Sequence, residues 1–188
     1  MGVLLVLAGP SGVGKGTIGK RLLERDPGLQ WSVSATTRAP RPGEVEGVDY
    51  RFVSREDFER LRANGGFLES FEVYGQLKGT LRAPVEARLR AGGDVLMEVD
   101  VQGALAVKDA IPDALLVFVR APTPEAQRAR LVARASDDDE QLVRRLETAG
   151  AEEAASGRFD AVVVNDDLDR AVEEVAAILK SRRVTGAP

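Results

Sequence analysis

Residues 9–17 read GPSGVGKGT and follow directly on the apolar run VLLVLA at 3–8. The spacing is that of a phosphate-binding loop: Gly, four residues, Gly, Lys, then a hydroxyl residue, set between a strand and a helix. Gly9, Gly14 and Lys15 fill their places, whereas Gly16 stands where the hydroxyl belongs and Thr17 comes one residue late. In such a loop successive N–H groups converge on an anion, the helix N-terminus adds a positive field, and the Lys follows the transferring phosphoryl group. The run Gly9, Pro10, Ser11, Gly12, Val13, Gly14, Lys15, Gly16 and Thr17 is therefore the candidate donor-nucleotide site. It implies a nucleotide and leaves the reaction open.

Outward from this loop the chain alternates. VLLVLA reads as a strand buried on both faces, and KGTIGKRLLERDPG as a helix stopped by Pro27 and Gly28. DVLMEVD (94–100), ALLVFV (114–119) and AVVVND (161–166) read as further strands. QGALAVKDAI, TPEAQRARLVARA and an amphipathic stretch over 168–182 read as the helices between and after them. The pattern predicts an α/β protein of the P-loop NTPase fold, a parallel sheet flanked by helices. The text changes between the first helix and residue 94, where TTRAPRPGEVEGVDYRFV is rich in Pro, Gly and charge and reads as a small inserted subdomain. ASDDDEQ (135–141) interrupts the later helical pattern, and Asp137–Glu140 reads as a solvated helix start with acids at the positive end of the dipole.

Composition narrows the chemistry. The chain has 188 residues, enough for one domain with a sizeable core and inserted parts. Its net charge of −4 gives no support to nucleic-acid or anionic-membrane binding, so small molecules are the expected partners. With no Cys and no His, disulfides, thiolate or imidazole metal sites, Cys nucleophiles and His bases are excluded. Carboxylates, hydroxyls, Lys and Arg remain. Lys occurs only at 15, 20, 78, 108 and 180. The dominance of Arg suits planar recognition of phosphate, although genome composition also accounts for it. No apolar run approaches the roughly 18 residues of a membrane helix, and the N-terminus enters a strand with no charged leader, so a cytoplasmic protein is expected.

A phosphate loop can serve transfer to water or transfer to a bound acceptor. The inserted segment favours the second, because Arg38, Arg41, Tyr50 and Arg51 lie close together and two guanidinium groups with a phenol make a clamp for a second phosphate.

These residues carry a resemblance to the guanylate kinases. The family's acceptor signature is Thr, Ser or Thr, Arg, two residues, Lys or Arg, two residues, an acid, two residues, Gly, two residues, Tyr, one residue, an aromatic. Thr36, Thr37, Arg38, Arg41, Glu44, Gly47, Tyr50 and Phe52 satisfy every position. FLE (67–69), YG and GT (74, 75, 79, 80), EVDVQGA (98–104) and VVVNDDLDRA (162–171) follow in the family's order, so the likeness spans nearly the whole chain.

The resemblance implies Mg-dependent transfer of the ATP γ-phosphate to GMP or dGMP, in purine nucleotide metabolism. It implies a core at 1–32, 84–122 and 147–188, a GMP-binding insertion at 33–83 and a lid at 123–146. Ser34, Glu69, Thr80 and Asp100 are implied around the guanine, with Glu98 a further substrate-side candidate. Chemistry agrees for three of them. Glu69 can accept from guanine N1 and N2 while Ser34 and Thr80 donate to O6, and adenine would set its N1 lone pair against the carboxylate.

Arg38, Arg41 and Tyr50 are implied at the acceptor phosphate, Lys15 and Mg²⁺ at the donor phosphates, and Arg134 and Arg145 at the transferring group. Asn165 is placed near the ATP adenine or a neighbouring loop carbonyl. A nucleoside monophosphate has a second phosphate pKa near 6, so its oxygens are already ionised nucleophiles and no His base is needed.

Three departures stand out. RLVARASDD keeps the lid arginines Arg130 and Arg134 but has Val132 at the middle Arg, and Arg128, Arg130 and Arg144 also admit a reading as surface charges. Lys78 stands where the family has a phosphate-binding Tyr, and its ammonium either reaches that phosphate or points to solvent. GKGT is similar to the adenylate kinase loop, and Mg²⁺ needs few protein ligands, so Thr17 or water is expected to take the place lost at Gly16. Two alternatives, one from another class and one of the same lineage, are disfavoured. A non-catalytic scaffold domain of this fold that binds phosphopeptides does not need the intact GVGK, and a phosphotransferase with another acceptor does not need the Glu69, Ser34 and Thr80 trio.

Overall fold

The apolar run beside the loop forms β1 (Leu4–Ala8), buried along its whole length. In the computed structural model, which describes residues 1–73, 75–133 and 152–185, β1 is the central strand of a parallel sheet. Its neighbours are β7 (Asp94–Glu98) and β8 (Leu115–Arg120), with β2 (Leu29–Trp31) and β9 (Ala161–Val164) outside them, giving the order β2-β7-β1-β8-β9. The alternation of a strand sends Leu4, Val6 and Ala8 to one face and Leu5 and Leu7 to the other. The first set packs with Val85 and Leu89 of α3 (Arg82–Arg90) and Val101, Ala104 and Leu105 of α4 (Val101–Ala110). The second packs with Ile18 and Leu22 of α1 (Lys15–Arg25) and with Ala171, Val172, Val175 and Leu179 of the last helix, α6 (Leu168–Thr185). Each such fully buried Leu or Val contributes about 1.5–3 kcal/mol.

Chain order reverses at β1, which leads to β2 and β7 on one side and to β8 and β9 on the other. Such a switch opens a crevice at the C-terminal ends of the strands. The phosphate loop leaves β1 at that end.

A second, four-stranded sheet lies between β2 and α3 in sequence, in the order β4-β3-β6-β5, with β3 (Ser34–Thr36), β4 (Arg51–Phe52), β5 (Phe67–Val73) and β6 (Gln76–Leu81). Helix α2 (Arg55–Ala63) packs against it, capped by Ser54 Oγ, which accepts the Asp57 N–H. Ala35, Phe58, Phe67 and Leu77 form its small core, and the rings of Phe58 and Phe67 stack with centroids 4.3 Å apart. Pairing between β5 and β6 slips at one point, so that Phe67 faces Leu81 and Glu69 faces Thr80. Two residues of β5 then oppose one step of β6, and a bulge of this kind re-aims the side chains that follow. Phe67 turns into the apolar core, and Glu69 turns to the opposite face beside Thr80 and Ser34.

Candidate active site

The phosphate loop takes its shape from its backbone. Gly14, the residue before α1, has φ 97°, a left-handed conformation that a side chain would strain, and a Cβ there would lie 2.4 Å from Asn165 Nδ2. No side chain caps α1 and no acid stands in its first turn, so its N–H groups and positive field face the loop interior.

The outward carbonyls of the loop are tied to neighbouring elements. Gln127 Nε2 of α5 (Pro124–Ala133) donates to Ser11 O at 2.9 Å, and Asn165 Nδ2 donates to Val13 O at 2.7 Å. Arg130 adds Nη1 to Val13 O at 3.4 Å and Nη2 to Asn165 O at 2.8 Å. In a trans peptide the C=O and the next N–H point in opposite directions, so these contacts turn the Gly12 and Gly14 N–H groups inward. Lys15 Nζ lies within the loop and donates to the carbonyls of Gly9 at 2.6 Å and Pro10 at 2.9 Å.

Two adjoining cavities share Ser11, Lys15, Lys20, Trp31 and Glu98. One, about 620 Å³, is also lined by Gly9, Ser34, Tyr50, Phe71, Lys78, Asp100 and Glu152. The other, about 600 Å³, is also lined by Gly12, Gly14, Gly16 and Thr17. The structure thus brings the loop, Ser34, Tyr50, Lys78, Glu98 and Asp100 around one space. Asp100 is also the cap of α4, accepting the Gly103 N–H at 2.7 Å.

Glu69 and Thr80 lie on the same sheet face as Ser34 but behind the lining, 6% and 1% exposed. Glu69 Oε2 has no hydrogen-bond partner in this buried setting. Burial pushes the Glu69 carboxyl above the usual range, hydrogen bonding from Thr80 and the Lys78 charge pull it back, and Asp100 adds to the rise.

Arg38 and Arg41 belong to the loop that rims the cavity. Glu44 grips the Arg38 guanidinium with both oxygens, at 2.7 and 3.0 Å, and accepts the Arg41 N–H at 2.7 Å. The Arg38 hydrogen bond holds the Glu44 carboxyl below its usual range. Tyr50 lies between two cations: Arg38 Cζ is 5.4 Å and Lys78 Nζ 5.2 Å from its ring centroid. The Lys78 ammonium is therefore directed to the Tyr50 end of the cavity. Arg134 and Arg145, and the Asp137–Glu140 run, lie outside the described residues.

The family model described as Guanylate kinase matches residues 1–182. The chain is 52% identical over 182 residues to a guanylate kinase of Thermus thermophilus, covering 97% of this chain and 82% of that one. The chain belongs to the guanylate kinase family. It is also 49% identical over 187 residues to a guanylate kinase of Rubrobacter xylanophilus, covering 100% of this chain and 98% of that one. A crystal structure of guanylate kinase from Anaplasma phagocytophilum superposes with a TM-score of 0.74 at 35% identity, covering 96% of this chain and 85% of that one.

Within this guanylate kinase framework some residues at the site carry no signature in the sequence. Glu152 lines the larger cavity, and burial raises its carboxyl while the Lys15 charge lowers it. Trp31 lines both cavities and packs on α1 where a Cβ at Gly19 would lie 2.5 Å from its ring. Gln127 had one legible trace, since it precedes the buried Leu131 by four positions and shares its helix face. Arg130, which reads as a surface charge, is instead a strut of the phosphate loop. For Asn165 the contact is the loop carbonyl.

Proposed function

We propose that this chain transfers the γ-phosphoryl group of ATP to GMP, with the phosphate loop holding the donor and the face of the smaller sheet that carries Ser34, Glu69 and Thr80 holding the acceptor. The observation that supports this reading best is the buried Glu69, whose Oε2 lacks a partner on the face that carries Ser34 and Thr80. An unpartnered buried carboxylate oxygen is unfavourable, and guanine brings two N–H donors that satisfy it. Residues 33–83 act as the GMP-binding insertion, 123–146 as the lid, and the remainder as the core.

The acceptor phosphate is bound by Arg38, held in place by Glu44, together with Arg41, Tyr50 and Lys78. Its second ionisation near pH 6 leaves it a dianion at neutral pH, so the attacking oxygen needs no base. Lys15 exchanges its contacts with Gly9 and Pro10 for the donor phosphates. The inward N–H groups of Gly12 and Gly14 meet phosphate oxygens without reorganising. Arg134 and Arg145 take the charge that builds on the transferring group. Closure excludes water, which would otherwise accept the phosphoryl group.

Mg²⁺ fits the oxygen donors here. Glu98 Oε2 lies 3.0 Å from where a side chain at 16 would begin, and Thr17 lines the same cavity. Glu98, Thr17 and water would hold the ion, which supplies charge neutralisation of the donor phosphates when bound.

A coupled ADP-release assay tests the reading with GMP, dGMP, AMP, CMP and UMP as acceptors. GMP and dGMP should be turned over and the others should lag by orders of magnitude. Comparable rates with AMP would overturn the base assignment.

A further inference from the structure

Lys78 occupies a singular place on the acceptor sheet. On β6 it is two residues from Thr80, and its strand partners are Thr36 and Phe71, while those of Thr80 are Ser34 and Glu69. Lys78 is therefore the diagonal neighbour of Glu69 on one face, a distance of about 7–8 Å between Cα atoms that a Lys side chain spans easily. Its ammonium lies 5.2 Å from the Tyr50 centroid and lines the cavity, whereas Glu69 is buried behind it.

We propose that Lys78 is a positioning residue for base recognition, which acts through Glu69 and keeps it the acceptor-only carboxylate that the two donors of guanine require. The inference rests on GMP being the acceptor and is separate from any contact between Lys78 and phosphate. A protonated Glu69 would set an O–H against one of the guanine N–H groups, and the pocket would lose the discrimination it is built for. The charged groups bearing on Glu69 oppose one another. Lys78 on β6 favours the ionised form, Asp100 at the start of α4 disfavours it, and Thr80 hydrogen bonds to it. Removal of Lys78 leaves burial and Asp100 opposed only by the Thr80 hydrogen bonds.

Guanosine separates this role from phosphate binding, because it carries the base and no phosphate. Its inhibition constant against GMP is to be measured for wild type, Lys78→Met, Lys78→Tyr and Lys78→Arg near pH 6 and near pH 8, with melting curves for each. Lys78→Met and Lys78→Tyr should weaken guanosine by up to about tenfold near pH 6 and by less near pH 8, because raising the pH favours the Glu69 carboxylate that Lys78 otherwise supports. Lys78→Arg should restore wild-type behaviour. In a Glu69→Gln background Lys78→Met should leave guanosine unaffected, because the group through which it acts is gone.

Guanosine binding that is unchanged in Lys78→Met while the KM for GMP rises would overturn the proposal and leave a phosphate ligand only. Equal weakening at both pH values, or equal weakening in the Glu69→Gln background, would also overturn it. Failure of the underlying reading looks different. Glu69→Gln would then leave the preference for GMP over AMP intact.

Discussion

Asn165 Nδ2 donates to the Val13 carbonyl at 2.7 Å, joining the end of the last sheet strand to the middle of the phosphate loop. Asn165 is 5% exposed, so the contact is shielded from water. Removing a buried donor whose acceptor stays behind costs about 1–3 kcal/mol. Asn165→Ala should weaken ADP binding about tenfold and lower the melting temperature by about 2–4 °C per kcal/mol lost. GMP affinity should hold. Calorimetric titration of each nucleotide alone checks the split, and equal loss for both would mean that the loop is not what Asn165 supports.

Glu69→Gln separates function from stability. It should reduce the preference for GMP over AMP by at least tenfold, read as the ratio of kcat/KM values. The raised carboxyl of Glu69 means that folding favours its protonated form more than the unfolded chain does. That stabilising contribution is fully present below the ordinary carboxyl value of 4.5 and is lost as pH rises through the raised value. At neutral pH the amide should therefore melt above wild type, the gain shrinking as pH falls toward about 4.5. Thermal scans across that range decide, and a Gln variant less stable at pH 7 than at pH 5 relative to wild type would reverse the sign.

Glu44 grips Arg38 with both oxygens, which fixes the plane of the guanidinium. Glu44→Ala should raise the KM for GMP roughly tenfold and leave that for ATP nearly unchanged, since the cation remains but its orientation is lost. Steady-state kinetics with each substrate varied in turn measures this. An unchanged GMP KM would show that Arg38 orients itself.

Arg183, near the end of α6, lies at the N-terminal end of the strands, opposite the phosphate loop, and bonds Asp94 and Asp26, each at 2.6 Å, while Asp94 also accepts the Val3 N–H at 2.6 Å. Burial pushes the Asp26 carboxyl up, but Arg183 and the Gly28 and Leu29 N–H groups hold it below its ordinary value. Its contribution is present above 3.8 and is lost as pH falls through the depressed value. Arg183→Met should destabilise by about 1–2 kcal/mol at pH 7, a figure reduced for partial exposure. Its kcat should stay at the wild-type value. Denaturant titration and a rate assay on one preparation test both halves, and a changed kcat would tie this end of the sheet to catalysis.

Gly16→Ser restores the hydroxyl that the loop pattern lacks, but its Cβ would meet Glu98 Oε2 at 3.0 Å. The carboxylate is the end of a flexible side chain and can yield by a few tenths of an ångström. The variant should keep kcat within about threefold and reach half-maximal rate at lower Mg²⁺, because one more oxygen donor faces the ion. A titration of Mg²⁺ at fixed ATP shows the shift, and a higher requirement would mean that Glu98 had been displaced from the ion.

The sequence exposes what local pattern controls. A run as apolar as 3–8 buries on both faces wherever it lies, and the glycines at 9, 12 and 14 take φ of 135°, 83° and 97°, as a loop that turns tightly under phosphate requires. The place of Tyr50 at the cavity was legible because the motif that names it, 36–52, runs from a strand through a turn into a strand, whereas Lys78 lies outside that motif and its direction was open in the sequence. What escaped depends on pairing between distant segments. The direction of Glu69 is set by a slip against β6, not by its neighbours in sequence. The roles of Gln127 and Arg130 exist only because α5 lies against a loop 116 and 117 positions earlier. Glu152 comes to line the same cavity as Lys15 through the fold alone.

The struts on Ser11 and Val13 also bear on how quickly and at what entropic expense a nucleotide is taken up. A loop whose carbonyls are already engaged has few backbone states left to surrender when phosphates arrive, so little of the contact energy is spent on ordering it. Association then approaches the encounter rate instead of waiting on a slow rearrangement of the loop, and differences in affinity among nucleotides reside in how fast each departs. With ADP in the proposed donor site, the residence time of product would accordingly be set by Lys15 and the inward N–H groups, the loop being already braced by Gln127, Arg130 and Asn165.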